Sequence, residues 1–335
     1  MKIKRLGRTG LKVSEVCLGT MTFGAQADEE TAFAIMDKAA EGGVNFIDTA
    51  DVYPVPTALQ TGGRTEEIVG RWLKGKREEF ILATKCRADM GPHPWNSGLS
   101  RKHILRAVED SLRRLRTDYI DLYQTHSPDP ETPIDETLSA LDDLVRSGKV
   151  RYIGCSNYPA WQLSKALWTS DKLGLARYDC VQPRYNLLFR QIEYELLPLC
   201  RDEGVGVIAY NPLAGGFLSG KYRKNEEAGT GTRFDVLKGK TSIYHDRYWQ
   251  TAQFDAVEKL KEGLGDRKES LVQVAIAWVL QQPGVTSAIV GASRPEQLDA
   301  SLGAVDLTLE PNELAACDDA WFSLPRPRDP GIALR

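Results

Sequence analysis

The chain has 335 residues, of which 42% are hydrophobic and 27% are charged, an ordinary composition for a globular protein. Its formal net charge of -3 excludes the basic footprint of a nucleic-acid-binding protein, and no apolar run reaches the ~18 residues that span a membrane. Residues 1–16 hold no continuous apolar segment, so we expect no signal peptide. The six cysteines form no C-x-x-C pair, which favours reduced thiols and a cytoplasmic location.

Apolar, strand-like runs alternate along the chain with stretches of helical periodicity. The strand-like runs are, in order, SEVCLG, VNFID, EFILATK, DYIDLYQTH, KVRYIGCSN, YDCVQ, VGVIAY and TSAIVG. The helices predicted after them cover residues 28–42, 65–74, 100–115, 134–147, 159–173, 193–203, 250–261 and 295–302. Eight β-then-α units favour a parallel sheet. The strands are rich in Val, Ile and Leu without clean alternation, which indicates that helices cover the sheet.

Local signals support several of these elements. Ser100 has the position and side chain of an N-cap for a helix with one apolar stripe. Ser270 can cap a further helix, which lies before the eighth strand and is extra to the repeat. Thr9 and Gly10 separate two short alternating runs and predict a small hairpin that closes one end of a barrel.

Eight units can close into a (β/α)8 barrel or remain a doubly wound sheet. A doubly wound dinucleotide fold should show G-x-G-x-x-G after an early strand, but the loop after the first strand reads GTMTFG. We therefore predict an α/β protein with a TIM barrel, an N-terminal β-hairpin and extra helices and loops, forming a single domain over residues 1–335. Residues 212–248 read as a long irregular stretch, and the Pro/Arg-rich residues 323–335 as an irregular tail.

Four chemically active side chains follow successive strand-like runs. Asp48 and Tyr53 lie in NFIDTADVY, Lys85 ends FILATK, and His126 ends DLYQTH. Each residue alone is weak evidence, because Asp48 could cap a loop and an isolated histidine is more often a core or loop residue. At matching strand ends, where a barrel builds its active site, the four together indicate catalysis.

These side chains suit carbonyl reduction, in which the carbonyl oxygen needs a proton donor. Tyr53 can supply the proton, although a free phenol has a pKa of about 10. An ammonium at ~4 Å is worth about 4 kcal/mol at an effective dielectric of ~20, so Lys85 is expected to lower the pKa of Tyr53. Asp48 would keep Lys85 charged and oriented, and His126 would donate a hydrogen bond to the carbonyl.

The chain resembles the aldo-keto reductases, which transfer a hydride between NAD(P)H and a carbonyl. The resemblance covers nearly the whole chain and is carried by GGVNFIDTADVY, ILATK, RTDYIDLYQTH, KVRYIGCSNY, GVIAYNPLAGGFLSGKY and VGASRPEQLDASLGA. It implies an NADPH-dependent reductase of small aldehydes and ketones with Asp48, Tyr53, Lys85 and His126 as catalytic residues. The net charge and the lack of a long apolar run predict no nucleic-acid or membrane partner.

The same resemblance implies a set of cofactor-binding residues. Three would bind the nicotinamide carboxamide, and a tyrosine would stack on its ring: Ser156, Asn157, Gln182 and Tyr210. Others would line the pyrophosphate stretch and surround the adenosine: Leu213, Gly215, Gly220, Lys221, Gly291, Ser293, Arg294 and Gln297. Arg294 can fork onto a 2'-phosphate, which favours NADPH. Ser301 departs from the family pattern, in which many members carry an adenine-contacting Asn.

Two functional questions stay open. Loop residues could wall a substrate pocket or simply pack on the barrel rim, and these are Met21, Phe23, Trp95, Tyr248 and Trp249. A cofactor-binding regulatory subunit, like the channel β subunits that share this barrel, is the main alternative to a reductase, and a sugar-phosphate isomerase is another.

The four histidines show no paired spacing typical of metal ligands, so we expect no metal site. Because steroid double-bond reductases of the family carry glutamate in place of the histidine, His126 favours reduction of C=O over conjugated C=C.

Overall fold

A computed structural model describes residues 1–325, so residues 326–335 of the expected irregular tail lie outside the described part. Eight parallel strands close into a barrel in which each strand pairs with its neighbours in chain order and the last pairs with the first. They are β3 (Val16–Gly19), β4 (Phe46–Asp48), β5 (Ile81–Cys86), β6 (Ile120–Thr125), β7 (Val150–Ser156), β8 (Cys180–Gln182), β9 (Gly206–Ala209) and β10 (Val285–Gly291). The predicted (β/α)8 barrel is therefore confirmed.

Helices surround the barrel, and most begin within a few residues of the predicted positions. They are α1 (Glu29–Glu41), α2 (Arg64–Trp72), α3 (Arg101–Leu115), α4 (Ile134–Arg146), α5 (Ala160–Leu173), α6 (Leu196–Glu203), α7 (Arg233–Val236), α8 (Ile243–Tyr248), α9 (Thr251–Leu264), α10 (Leu271–Gln281), α11 (Gln297–Gly303) and α12 (Pro311–Phe322). Among residues 1–325, no helix has the length and apolar character needed to cross a bilayer.

The predicted caps are present. The Ser100 hydroxyl accepts from the His103 backbone N–H at 3.3 Å, and Ser270 and Gln273 form a reciprocal capping box at the start of α10. Each satisfied N-terminal donor stabilises its helix by roughly 1 kcal/mol. The helix α12 was not predicted. It packs against α9 mainly through small residues, so its apolar stripe is weak in the sequence.

The predicted hairpin closes the end of the barrel where the strands begin. β1 (Ile3–Arg5) pairs antiparallel with β2 (Lys12–Ser14). Leu6 and Val13 are buried in one cluster with Phe46, Leu122 and Ile208 from the barrel strands. This apolar plug shuts the lower end, so a ligand can enter the barrel only at the carboxyl ends of the strands.

Residues 212–248, expected to be irregular, contain more structure than the sequence indicated. A 3-10 segment, Ala214–Ser219, is followed by the short helices α7 and α8. Both helices are shorter than two full turns, which is too short for a helical period to stand out in the sequence. Aromatic side chains hold this segment together, among them Phe217, Phe234 and Trp249, whose rings lie 4.9–6.0 Å apart.

Candidate active site

A buried ion pair lies at the carboxyl ends of two adjacent strands. The Lys85 ammonium on β5 donates to Asp48 Oδ2 at 2.5 Å and to the Thr49 carbonyl at 2.8 Å. The other Asp48 oxygen accepts from the side-chain amides of Gln124 at 3.1 Å and Gln182 at 2.9 Å. Buried charges are tolerated only when paired and hydrogen-bonded, and this pair has both kinds of partner.

The charge state of Lys85 follows from these contacts. The side chain is 0% exposed, and burial by itself lowers the pKa of an ammonium. Asp48, and to a lesser extent Tyr53, raise it by more, so the pKa of Lys85 lies above its ordinary value. Lys85 is therefore a permanent positive charge beneath the cavity floor.

Tyr53 lies over this charge, with its ring centroid 5.1 Å from the Lys85 ammonium. Burial raises the pKa of Tyr53, and although Lys85 opposes this effect, the net direction is upward. The expected lowering of the pKa of Tyr53 by Lys85 is therefore outweighed by the loss of solvent, which penalises phenolate. Tyr53 is consequently a protonated phenol at neutral pH, with a cation placed to stabilise its conjugate base.

His126 completes the group of four. Its ring lies edge-on to Tyr53, with ring centroids 5.8 Å apart. Burial, together with the charges of Lys85 and Arg87, lowers the pKa of His126 to about 3. The imidazole is therefore neutral at physiological pH, with one N–H donor and one acceptor nitrogen.

One cavity of about 510 Å³ runs from this group to α11. Asp48, Tyr53 and His126 line one end, whereas Lys85 lies beneath them and does not line the cavity. Most of the residues assigned to cofactor binding by resemblance also line it: Ser156, Asn157, Gln182, Tyr210, Leu213, Gly215, Lys221, Gly291, Ser293 and Gln297. Residues far apart in sequence are thus brought to one continuous surface.

Hydrogen bonds organise the cavity wall beside His126. The Asn157 side-chain amide donates to the His126 carbonyl at 2.9 Å, and its oxygen accepts from the Tyr210 hydroxyl at 2.8 Å. The Ser156 hydroxyl donates to the Gln182 carbonyl at 2.8 Å. Asn157 has a positive φ of 62°, a left-handed conformation that asparagine tolerates better than most residues. Amide and hydroxyl groups therefore face the cavity next to the four-residue group.

Three cationic side chains lie close to one another in or beside the cavity. Burial and the neighbouring charges of Arg294 and Arg233 lower the pKa of Lys221. Within residues 1–325, none of these three side chains forms an ion pair with a carboxylate. Beside them Gly216 has a positive φ angle of 91° and no heavy atom within 3.8 Å of where a Cβ would lie, so its backbone is open. Uncompensated positive charge and an open backbone suit phosphate groups.

Two residues assigned to cofactor binding lie beside the cavity rather than on its wall. Gly220 has a positive φ of 71°, and a Cβ there would lie 2.9 Å from the Lys261 side chain. Arg294 is exposed at the start of the α11 region, close enough to Lys221 to influence its pKa. Ser301, which departs from the family pattern, is 3% exposed and does line the cavity.

Only Met21 among the five suggested substrate-pocket residues lines this cavity. Phe23 is fully buried in the core, and the buried Tyr248 directs its hydroxyl to Asn186 and Asn211. Trp249 packs among the aromatic rings of the insertion. The pocket-wall interpretation of Phe23, Tyr248 and Trp249 is corrected accordingly: aromatic side chains near a barrel rim are used first for packing.

Trp95, the remaining member of that set, is 49% exposed and stacks on His93 with ring centroids 4.7 Å apart. It lines a separate cavity of about 400 Å³ together with Arg87, Asp89 and Asp129. This second cavity opens beside the loop after β5, outside the main one. Trp95 therefore does not wall the space next to Tyr53.

Several cavity residues were missed by the sequence analysis. The insertion supplies Gly231, Thr232, Arg233 and Tyr244, and the loop after β3 supplies Thr20, Thr22 and Gln26. The wealth of Gly, Lys and Arg in residues 212–248 was a signal for a functional loop, but it did not distinguish lining residues from packed ones. That distinction depends on how α7 and α8 fold back over the barrel.

Comparison with known proteins identifies the family to which the chain belongs. The sequence model of the Aldo/keto reductase family matches residues 15–321. The match spans the whole barrel and all four residues at the end of the cavity, and we conclude that the chain belongs to this family. Members of this family are oxidoreductases that use nicotinamide cofactors and act on small carbonyl compounds.

Individual relatives are similar over almost their entire length. The chain is 41% identical to the uncharacterized oxidoreductase YrpG of Bacillus subtilis, over 96% of each chain. It is 38% identical to a probable voltage-gated potassium channel subunit beta of Arabidopsis thaliana, over 92% of each. It is 36% identical to L-glyceraldehyde 3-phosphate reductase of Escherichia coli O157:H7, over 95% of this chain and 92% of the relative. Family membership and these relatives support a general carbonyl-reducing oxidoreductase.

Proposed function

We propose that the protein reduces aldehydes or ketones to alcohols with NADPH, using Tyr53 as the general acid. The observation that carries the proposal is the buried Lys85–Asp48 ion pair directly beneath Tyr53, with neutral His126 at its edge. Such an arrangement is difficult to explain by stability, since apolar residues of similar volume stabilise a core as well or better. A proton-donating site accounts for it.

The chain's own residues divide the work as follows. NADPH, when bound, supplies the hydride to the carbonyl carbon. Tyr53 transfers its phenolic proton to the carbonyl oxygen, and the phenolate that remains is stabilised by the Lys85 ammonium. Asp48 keeps the ammonium in place, and a ring N–H of His126 donates a hydrogen bond that orients the carbonyl. One such preorganised donor is worth about 2.7–4 kcal/mol in other enzymes.

The cavity supports a dinucleotide phosphate as the cofactor. It extends from Tyr53 to Gln297 and Ser301, and Lys221 and Arg233 line it without an ion-pair partner among residues 1–325. Arg294 stands near Lys221 beside the cavity, where an exposed guanidinium can meet a 2'-phosphate. We therefore propose that NADPH is preferred over NADH, and that Arg294 and Lys221 make the difference.

Six buried, free cysteines suit the reducing environment of the cytoplasm, which we propose as the location.

The second candidate function is that of a regulatory subunit with little turnover, because one relative carries the name of a potassium channel subunit beta. The complete group of Asp48, Tyr53, Lys85 and His126 favours turnover over a purely regulatory role.

Turnover decides between the two candidates. The purified protein is mixed with NADPH and a panel of aldehydes, ketones and sugars, and the loss of NADPH absorbance is followed. Steady NADPH consumption that requires the carbonyl compound supports the reductase. Tight NADPH binding, seen as a change in cofactor fluorescence, without turnover of any substrate would instead favour the regulatory subunit. An absence of NADPH binding would contradict both.

A further inference from the structure

Tyr244 is a cavity residue that the proposed mechanism does not use. It belongs to α8, in the insertion that follows β9, and its half-buried side chain lines the main cavity. A Cβ added to Gly215 would lie 2.7 Å from the Tyr244 ring, so the ring rests directly on the Gly215 backbone. The glycine at this position therefore permits the ring to approach the cavity floor.

Buried contacts of α8 and of Phe234 fix the position of the Tyr244 ring. Tyr248, one turn later on the same face of α8, is buried, and its hydroxyl accepts from the side-chain amides of Asn186 at 3.0 Å and Asn211 at 2.8 Å. The Phe234 ring packs against Tyr244 with centroids 6.2 Å apart. Because the anchors are buried and the ring has aromatic support, Tyr244 forms a defined wall rather than a free loop side chain.

Tyr244 faces the reacting end of the cavity. Its phenol lies close enough to Tyr53 and Tyr210 to influence the pKa of both. Arg233 lies between Tyr244 and Met21. Its guanidinium lies 5.6 Å from the Tyr244 ring centroid and donates to Met21 Sδ at 3.4 Å. Met21 follows β3, so the two cavity-lining side chains approach from different sides of the barrel mouth.

We propose that Tyr244 is a specificity-determining residue, whose ring limits the width of the carbonyl compound that can reach Tyr53. An aromatic ring on one side and a thioether on the other favour flat aromatic or unsaturated aldehydes over wide, branched ones. The inference rests on the proposed reductase function and names the substrate class for that same site. Tyr244 takes no part in proton transfer.

The test compares two aldehydes of the same reactivity class that differ in width, benzaldehyde and 3,5-di-tert-butylbenzaldehyde, with NADPH as cofactor. Tyr244→Ala should raise the ratio of kcat/KM for the wide over the narrow aldehyde by about tenfold or more, as expected for removal of several pocket atoms. Tyr244→Phe, which keeps the ring, should leave the ratio within about twofold of the wild type. Tyr194→Ala, at a tyrosine that is 70% exposed outside the cavity, is the matched control and should leave it unchanged.

Three outcomes would overturn the inference. An unchanged ratio in folded Tyr244→Ala removes Tyr244 from substrate selection. An unchanged ratio with strongly weakened NADPH binding, measured by fluorescence titration, makes Tyr244 a cofactor contact instead. Wild-type protein that turns over neither aldehyde, nor any member of the carbonyl panel, overturns the proposed function together with the inference. If Tyr244→Ala does not fold, Tyr244→Trp serves in its place and should lower the ratio, and a higher or unchanged ratio would contradict the proposal.

Discussion

The Lys85 ammonium and the Asp48 carboxylate lie 2.5 Å apart on neighbouring strands, with side chains 0% and 4% exposed. The β4–β5 register aligns Asp48 with Ala83, so Lys85 stands two residues further along its strand, on the same face. This strand register places the Lys85 ammonium beneath the Tyr53 ring.

Tyr53→Phe should retain NADPH affinity and lower kcat by about 10²–10⁴-fold, because only the proton donor is removed. Steady-state kinetics and NADPH fluorescence titration on the same preparation measure both quantities. If affinity collapses together with the rate, Tyr53 has a structural role rather than that of an acid.

Lys85→Met should abolish activity or move the fall in reduction rate to higher pH. Reduction needs protonated Tyr53, so the rate falls as pH rises through the pKa of Tyr53, which Lys85 lowers and burial raises. Without Lys85 the pKa of Tyr53 rises further. Because Asp48 is left buried and unpaired, the variant should also lose about 3–5 kcal/mol of stability. Lys85→Arg keeps the charge and is the control; an active Met variant with an unshifted pH–rate profile would contradict the role of Lys85.

Arg294→Ala should weaken NADPH binding by about tenfold or more while changing NADH binding little, because only NADPH carries the 2'-phosphate. Titration of each cofactor against the variant gives the two dissociation constants. Arg106→Ala is a suitable control, since its side chain is 71% exposed and does not line the cavity. Equal losses for both cofactors would show that Arg294 does not recognise the 2'-phosphate.

An α,β-unsaturated aldehyde should be reduced to the allylic alcohol. Neutral His126 can donate to a carbonyl oxygen beside Tyr53, which places the carbonyl carbon rather than the alkene carbon at the reacting position. Product analysis by chromatography reads the result directly. A saturated aldehyde as the main product would mean that His126 does not position the carbonyl in this way.

Asp51→Asn should stabilise the protein increasingly as pH rises from about 5 to 8, by roughly 1 kcal/mol or more. Asp51 is fully buried, and burial together with the Glu66 charge raises its pKa well above the usual value. The folded state therefore holds a proton that the unfolded state releases above pH ~4, so wild-type stability declines with pH through this interval.

Thermal or denaturant unfolding of wild type and Asp51→Asn at several pH values measures this difference. Asp171→Asn, at an exposed aspartate on α5, controls for the general effect of removing one negative charge. A difference between Asp51→Asn and wild type that stays constant with pH would show that Asp51 does not carry the proton.

The order of strands and helices was readable from the sequence because each element leaves a local signal. Apolar runs marked the eight strands, and Ser100 and Ser270 marked helix starts by their capping side chains. The grouping of Asp48, Tyr53, Lys85 and His126 was also readable, since each lies at or shortly after the end of a strand, and the strands of a closed barrel end at one face. Short-range periodicity and residue chemistry were enough for these predictions.

Tertiary structure determined the pKa of Tyr53 and the separate roles of Tyr244 and Tyr248, which leave no local pattern in the sequence. The pKa of Tyr53 depends on a balance between burial and the Lys85 charge, and only the folded barrel sets how much solvent remains. Likewise Tyr244 and Tyr248 are two aromatic residues on the same face of one short helix, but Tyr244 lines the cavity whereas Tyr248 is buried. Their roles depend on where α8 docks, because contacts with Gly215, Asn186 and Asn211 link segments far apart in the sequence.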